Sequence, residues 1–435
     1  MFFRNYPILR LLLPLVLGIC MAYWTSLSIA VPWVLLLMLG CWGFSFFLAR
    51  LKKRTATLLS GLFLQLVFVI AGFELCCLHF PIPDEAGMQE YCQPPSSSII
   101  KEKAIQVQHY FSEALAEAGI SGSEYSIINA ILLGNKESLD TELRAYYNAV
   151  GVGHILCVSG LHVGVIFLIL NFLLHPLDYS KKSRLFKALI LLFFIWIYAC
   201  ITGLSPSVTR AATMFSFVTF GNLLRRHTNI FHSLFASLFI LLIINPLWLF
   251  NLGFQLSYAA VFGIVIFQQK LVALWTPKNK VLTYLWNLIT VSVAAQLATF
   301  PLSVYTFGMF PNYFLLGNLS VVTLSFVIVV SGVLLLVVSF VPYLSTWVAQ
   351  LLTFEIKLMN ILTQSIRKMP GSVTENISIS WVQMLLIYLC IIFFFLLLQQ
   401  QKKRYYWLGL TSILALVLLS NVEVIRDFLA LYVSM

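Results

Sequence analysis

Residues Gly151 to Gly164 read GVGHILCVSGLHVG, which sets two histidines, a cysteine and a serine among glycines where a polar segment runs into an apolar one. Ser159 and His162 are three apart, a spacing that on a helix brings a hydroxyl and an imidazole to one face. Such residues suit three kinds of chemistry. A serine beside a base can act as a nucleophile. His154, Cys157 and His162 are metal-ligating types. Imidazole and hydroxyl can also hydrogen-bond across a broken helix that lines a pore, because polar side chains are costly in hydrocarbon unless they face protein or water.

The first two readings lack parts. A base three residues along the same helix rarely reaches a serine at attack geometry, and in CVSG Cys157 stands where the GxSG of rhomboid proteases has glycine. No HExxH, CxxC pair or nearby carboxylate completes a metal site around His154, Cys157 and His162. The expectation is therefore no catalytic residue, no metal and no cofactor, with His154, Ser159, Gly160 and His162 lining a passage. Gly160 and Gly164 form a G-x-x-x-G that admits a neighbouring helix.

Three more polar islands interrupt apolar runs. In GLSPSVTRA, Gly203 to Ala211, Ser205 is placed to cap a helix, with Pro206 at its first position, Ser207 next and Arg210 about one turn in. A helix N-terminus is partially positive, so an arginine beside it predicts an anion site at an outer mouth. The alternative is that Arg210 pairs with Glu74 or holds another helix's carbonyls. GFQLSYAA at Gly253 to Ala260 supplies Gln255 and Ser257, and AAQLATFP at Ala294 to Pro301 supplies Gln296 and Thr299. On helices rich in Ala and Gly these groups either seal close helix contacts or form a wet lining that solvates a substrate without trapping it. Pro301, followed by Gly308 and Pro311, predicts a helix break opening a re-entrant segment.

The elements that must carry these islands are membrane spans. The chain has 435 residues, 60% hydrophobic and only 10% charged, with a mean hydropathy of +0.93. About 20 apolar residues cross a bilayer, and such runs fall at 6–24, 29–49, 56–76, 154–175, 186–203, 207–224, 230–249, 254–269, 284–307, 313–330, 333–352, 380–399 and 405–420. The fold class expected is all-α, a polytopic bundle of 11–13 spans, some broken or re-entrant. The first span is too long, and too soon followed by others, to read as a cleaved signal peptide. Cytoplasmic loops concentrate Lys and Arg, and the clusters at 4–10, 50–54, 181–187, 225–226, 270–280 and 402–404 share one side under two conditions. The N-terminus must be cytoplasmic, and 313–352 is expected to cross twice, with a break near Ser331 and Gly332; if it crosses once, the amphipathic stretch around Thr353 to Met369 must span instead. The formal charge of +11 is thus mostly a topology signal rather than a nucleic-acid footprint.

The segment 77–150 falls outside and carries ten acidic and four basic residues, which argues against a polyanion landing pad. A Pro- and Ser-rich opening precedes helical periodicity at 99–115 and 125–133, read as two surface helices, and a third helix starting at the Ser138-x-Asp140 cap region. Most of the eight cysteines are small apolar fillers within spans; Cys92 could bond Cys76 or Cys77. Domain divisions are expected at 1–76, 77–150, 151–352 and 353–435, the third being the core and the fourth opening on an amphipathic helix.

Taken in order and spacing, HILCVSGLHVG, GLSPSVTRA, NPLWLFNLGFQLSYAA and AAQLATFPLSVYTFG resemble the membrane core of ComEC-type competence channels, and LLGNKESLDTEL at Leu132 to Leu143 resembles the segment before it. The resemblance covers roughly Gly134 to Leu319 closely and the flanking spans more loosely. It implies translocation of single-stranded DNA across the bacterial cytoplasmic membrane during natural transformation. It points to His154, Ser159, Gly160 and His162, then Ser205, Pro206, Ser207 and Arg210, then Gln255 and Ser257, then Gln296, Thr299 and Pro301. Relatives typically carry an OB-like domain and often a metallo-β-lactamase-like domain; Cys77 to Ile99 is too short for the first, and Asn421 to Met435 holds no histidine or metal cluster for the second. No GxxxxGK[ST] phosphate loop is present. A separate DNA receptor, nuclease and cytoplasmic ATPase or helicase are accordingly expected as partners, beside DNA and membrane lipid. Two other classes stay open: a transporter or scaffold for another anionic substrate, and an intramembrane serine hydrolase.

Overall fold

The computed structural model describes residues 6–25, 31–50, 54–79, 99–224, 229–400 and 404–416. Apolar runs without charge satisfy their backbone groups most readily as helices, and the described chain is all-α apart from one two-residue strand pair. In chain order the helices are α1 Leu9–Thr25, α2 Val31–Arg50, α3 Arg54–His79, α4 Ile99–Glu117, α5 Gly122–Ile128, α6 Thr141–Ala149, α7 Gly160–Leu173, α8 Lys181–Ile201, α9 Pro206–Leu223, α10 Ile230–Ile244, α11 Leu252–Val272 and α12 Lys280–Phe307. They continue with α13 Phe314–Val338, α14 Pro342–Arg367 and α15 Trp381–Gln400, and residues 404–416 are helical as well. Among the described residues five helical stretches are long and apolar enough to cross a bilayer: Leu59–Leu78, Lys181–Ile201, Leu252–Val272, Lys280–Phe307 and Phe314–Val338. Five shorter apolar helices accompany them. This is a multi-pass membrane protein.

The chain divides into two compact units. One comprises Met1–Leu139, Cys157–Gln255 and Phe326–Phe354; the other comprises Asp140–Leu156, Leu256–Ser325 and Glu355–Met435. In the first, a Cβ on Gly18 or Gly72 would strike the Val69 or Leu15 carbonyl oxygen, so α1 and α3 meet backbone to backbone. The three helices expected between 99 and 149 are present, and Asp140 caps α6 by accepting the Glu142 N–H at 3.2 Å. The second of them corrects the surface reading. Ile127 and Ile128 are fully buried, as is the π-helical turn Asn129–Leu133 that follows. The run IINAILL is apolar but for Asn129, whose Oδ1 accepts the Ser112 hydroxyl at 2.8 Å, and so is buried rather than laid on a surface. It is held by Tyr198, whose hydroxyl donates to the Leu132 carbonyl at 3.0 Å, and ends at Gly134, left-handed at φ 78°.

In the second unit, Phe310–Pro311 (β1) pairs antiparallel with Val373–Thr374 (β2). Asn312 Nδ2 donates to the Gly371 carbonyl at 2.8 Å, and Tyr313 Oη donates to Pro370 at 3.0 Å. The chain must therefore leave and return between 311 and 373. Two helices make that excursion, α13 and α14, but they part at 339–341 rather than at Ser331 and Gly332. Gly332 sits mid-helix because a Cβ there would come within 3.2 Å of Leu132 and Ile128 side chains; its role is close packing, and Pro342 starts the next helix. Helix α14, roughly 39 Å long at 1.5 Å per residue, buries Val348, Leu352, Ile356, Met359 and Thr363 along one stripe. The possible partner Cys92 of the proposed disulfide lies outside the described residues; Cys76 and Cys77 are free thiols in α3.

Candidate functional site

Helix α7 begins where the glycine-rich run ends. Ser159, at φ −108° and ψ 168°, is its N-cap and lies off the helix; His162 turns back so that its Nδ1 accepts the Ser159 N–H at 3.2 Å, closing a capping box. Imidazole thus takes the place that Glu or Gln usually fills, and His162 is fully buried. An Nδ1 that accepts a backbone N–H carries no proton, which places the proton of the neutral ring on Nε2. The expectation that Ser159 and His162 share a helix face is corrected. The ring nitrogen nearer the chain is committed to the Ser159 backbone, which removes it as a base for the hydroxyl. His154 is exposed on the 3-10 turn Gly153–Leu156.

The second island meets the first. A Cβ added to Gly160 would come within 2.8 Å of Arg210 Nη2 and 3.5 Å of Ala211 Cβ, and one on Gly164 would touch the Phe215 ring. The G-x-x-x-G face of α7 therefore receives α9, with Phe167 and Phe215 stacked at 4.7 Å between ring centroids. Val158 and Val163, Ile195 and Ala199 of α8, and Val208, Ala211 and Ala212 of α9 make one apolar cluster around this contact. Pro206 stands at the first position of α9, after Ser205 as N-cap. Ser205 makes no side-chain cap bond, and Ser207 is half-buried.

Arg210 is 7% exposed, with Nη1 3.5 Å from Met214 Sδ. It lies covered by α7 rather than open at a mouth. It does not pair with Glu74, whose buried Oε2 has no hydrogen-bond partner among the described residues. The other hydroxyls of α9 look after themselves. Thr209, Thr213, Ser216 and Thr219 each donate to the carbonyl four residues back, at 2.8 to 3.0 Å. Ser216 also accepts Trp196 Nε1–H from α8 at 3.2 Å.

The third and fourth islands sit on α11 and α12. Asn251, which the sequence reading passed over, starts α11 by accepting the Phe254 N–H at 3.0 Å; the signal was its place immediately before an apolar helical run. Gln255 Nε2 donates to the Leu249 carbonyl at 2.8 Å, a local bond that fixes the entry to the helix. Ser257 is on the next turn, half-buried. Gly263 of α11 lies against α12, where a Cβ would come within 2.5 Å of the Ala294 carbonyl oxygen and 2.6 Å of Ala298 Cβ. Gln296 is half-buried, and Thr299 donates to the Ala295 carbonyl at 3.0 Å. Pro301 does not break the helix. Helix α12 runs six residues past it to a left-handed cap at Gly308, φ 63°. A proline within a helix loosens the carbonyls one turn back, and there Tyr388 of α15 donates to the Ala298 carbonyl at 2.9 Å.

The structure thus joins the first island to the second and places the third-island helix against the fourth-island helix. Among the described residues no cluster of three His, Cys, Asp or Glu is arranged to hold a metal.

A family model described as "Competence protein" matches residues 131–401, more than half of the chain. ComE operon protein 3 of Bacillus subtilis is 34% identical over 188 residues, 42% of this chain and 22% of that protein. Recombination protein 2 of Haemophilus influenzae is 26% identical over 244 residues, 54% of this chain and 30% of that protein. The chain thus spans less than a third of the length of these two relatives. No solved structure matches it. The match takes in all four polar islands and the helices that carry them, and on that ground the chain belongs to the competence protein family.

Proposed function

We propose that this chain is the membrane core of a DNA-uptake channel, passing single-stranded DNA across the bacterial cytoplasmic membrane, with its N-terminus on the cytoplasmic side. The observation that carries the reading is the covered guanidinium: Arg210, a buried cation on a membrane helix, lies under the glycine face of α7. A buried ionisable group within a membrane bundle marks a substrate path more often than a packing site, and a phosphate backbone is the anion the family membership favours. Sparse charge suits a conduit, which must let go of what it binds. The bond pattern of His162 weighs against the hydrolase. A separate receptor, nuclease and cytoplasmic ATPase or helicase would capture, trim and pull the strand.

The test is uptake of labelled DNA in a deletion strain carrying variants of this chain. Arg210→Ala is expected to lower uptake at least about tenfold, the loss of one charge-assisted contact, with protein level and membrane insertion unchanged. Undiminished uptake in that variant would remove the main support. Labelling of Ser159 by a fluorophosphonate in the folded protein would move the assignment to a hydrolase.

A further inference from the structure

At the opposite end of the three-helix cluster from the Ser205 cap lies a cleft of about 270 Å³ between the end of α7, the start of α8 and the end of α9. Its polar lining is Asn171, Asp178, Arg184, Lys187, Thr219 and Asn222. Lys187 is 7% exposed and its Nζ donates to Asp178 Oδ2 at 2.8 Å, which uses one of three ammonium protons. Arg184 donates through Nε to the Ser180 carbonyl at 3.4 Å, a long bond that leaves the rest of the guanidinium fork uncommitted to it. Neither the Asn171 nor the Asn222 amide hydrogen-bonds any described residue. The cleft therefore gathers two cations, one anion and two unspent amides in a space several times that of one water, ~30 Å³.

What surrounds it narrows the ligand. Leu168, Phe172, Leu189 and Phe220 each follow a lining residue directly in sequence, and all are more than half exposed. One step round each helix from the lining, the surface is bare hydrocarbon, a surface for acyl chains rather than for nucleotides. Lys181 and Lys182 lie exposed at the same helix end. Basic pockets between helix ends on the Lys- and Arg-rich side of a membrane suit anionic headgroups.

We propose that this cleft binds the headgroup phosphate of an anionic phospholipid, with Arg184 and Lys187 as charged donors, Asn171 and Asn222 closing round the ester oxygens, and the acyl chains lying on Phe172, Leu189 and Phe220. The site clamps α7 and α9, which carry the first and second islands, to α8, and it stands independently of what the protein conducts.

The test uses the full chain, delipidated in detergent and reconstituted in nanodiscs of phosphatidylcholine with or without phosphatidylglycerol, read by thermal unfolding and by native mass spectrometry of retained lipid. Phosphatidylglycerol is expected to raise the unfolding temperature and to remain bound. Arg184→Gln is expected to weaken that effect about tenfold in lipid concentration, and Asn171→Leu to weaken it too. Lys182→Gln, one exposed charge on the same turn, is expected to change nothing. Equal stabilisation by phosphatidylcholine, or an equal loss in Lys182→Gln, would overturn the site. Displacement of the lipid by inorganic phosphate or by an oligonucleotide would overturn the lipid assignment in favour of a free-anion or a strand site.

Discussion

His162 shows how a residue read for its chemistry can serve first for its shape. Three residues after an N-cap serine, an imidazole reaches the cap's N–H as a Gln side chain would. His162→Gln is therefore expected to keep the start of α7, while His162→Ala costs about 1 kcal/mol of stability. Thermal unfolding of the two variants in detergent, beside uptake, checks this. Retained uptake with Gln and reduced uptake with Ala fits a positioning residue; loss with both would require imidazole itself. The residue types of the first island were legible in the sequence, and so was its need for a neighbour at Gly160. The use of His162 was not, because spacing alone cannot tell a residue on a helix from one at its cap. Arg210 was legible as an intramembrane cation, but its burial was set by packing with a helix some fifty residues distant in the chain.

At the scale of elements, two glycine contacts differ in what opposes them. At Gly160 the obstacle to a Cβ is the tip of a flexible arginine, and at Gly263 it is the backbone of Ala294. Gly160→Ala is expected to fold with little loss and to displace the guanidinium, lowering uptake. Gly263→Ala forces two helices apart and is expected to cost about 1–3 kcal/mol, seen as a lower unfolding temperature and reduced membrane yield. Equal stability of the two variants would refute the distinction. Most helices followed from apolar run length, and α9 from Ser205 and Pro206. Two boundaries did not. A serine–glycine pair within an apolar run resembles a hinge, yet Gly332 is small because Ile128 and Leu132 press on it. Pro301 resembles a stop, yet the donor that steadies the carbonyls behind it, Tyr388, comes from 87 residues later.

For the whole molecule, the pairing of β1 with β2 fixes the parity of the crossings between them. With the native cysteines removed, Phe310→Cys and Thr374→Cys, which face each other in the ladder, are expected to form a disulfide on mild oxidation. A protease site engineered between α13 and α14 would let a non-reducing gel report the bond; its absence would mean that 310 and 374 lie on opposite sides of the membrane. The all-α, multi-pass character was legible from composition, whereas this small strand pair was not, because two residues carry no periodicity.

Helix α9 is tied to α8 by the short turn Thr202–Ser205 and by Trp196 on Ser216, and it answers most of its own hydroxyls internally. Across to α7 the contacts are glycine, alanine and stacked phenyl rings, with Arg210 beneath. Slippage along that seam would leave no hydroxyl of α9 searching for a new mate, so the contact rests on packing rather than on hydroxyl bonds. The same displacement would uncover the guanidinium that α7 keeps shut away.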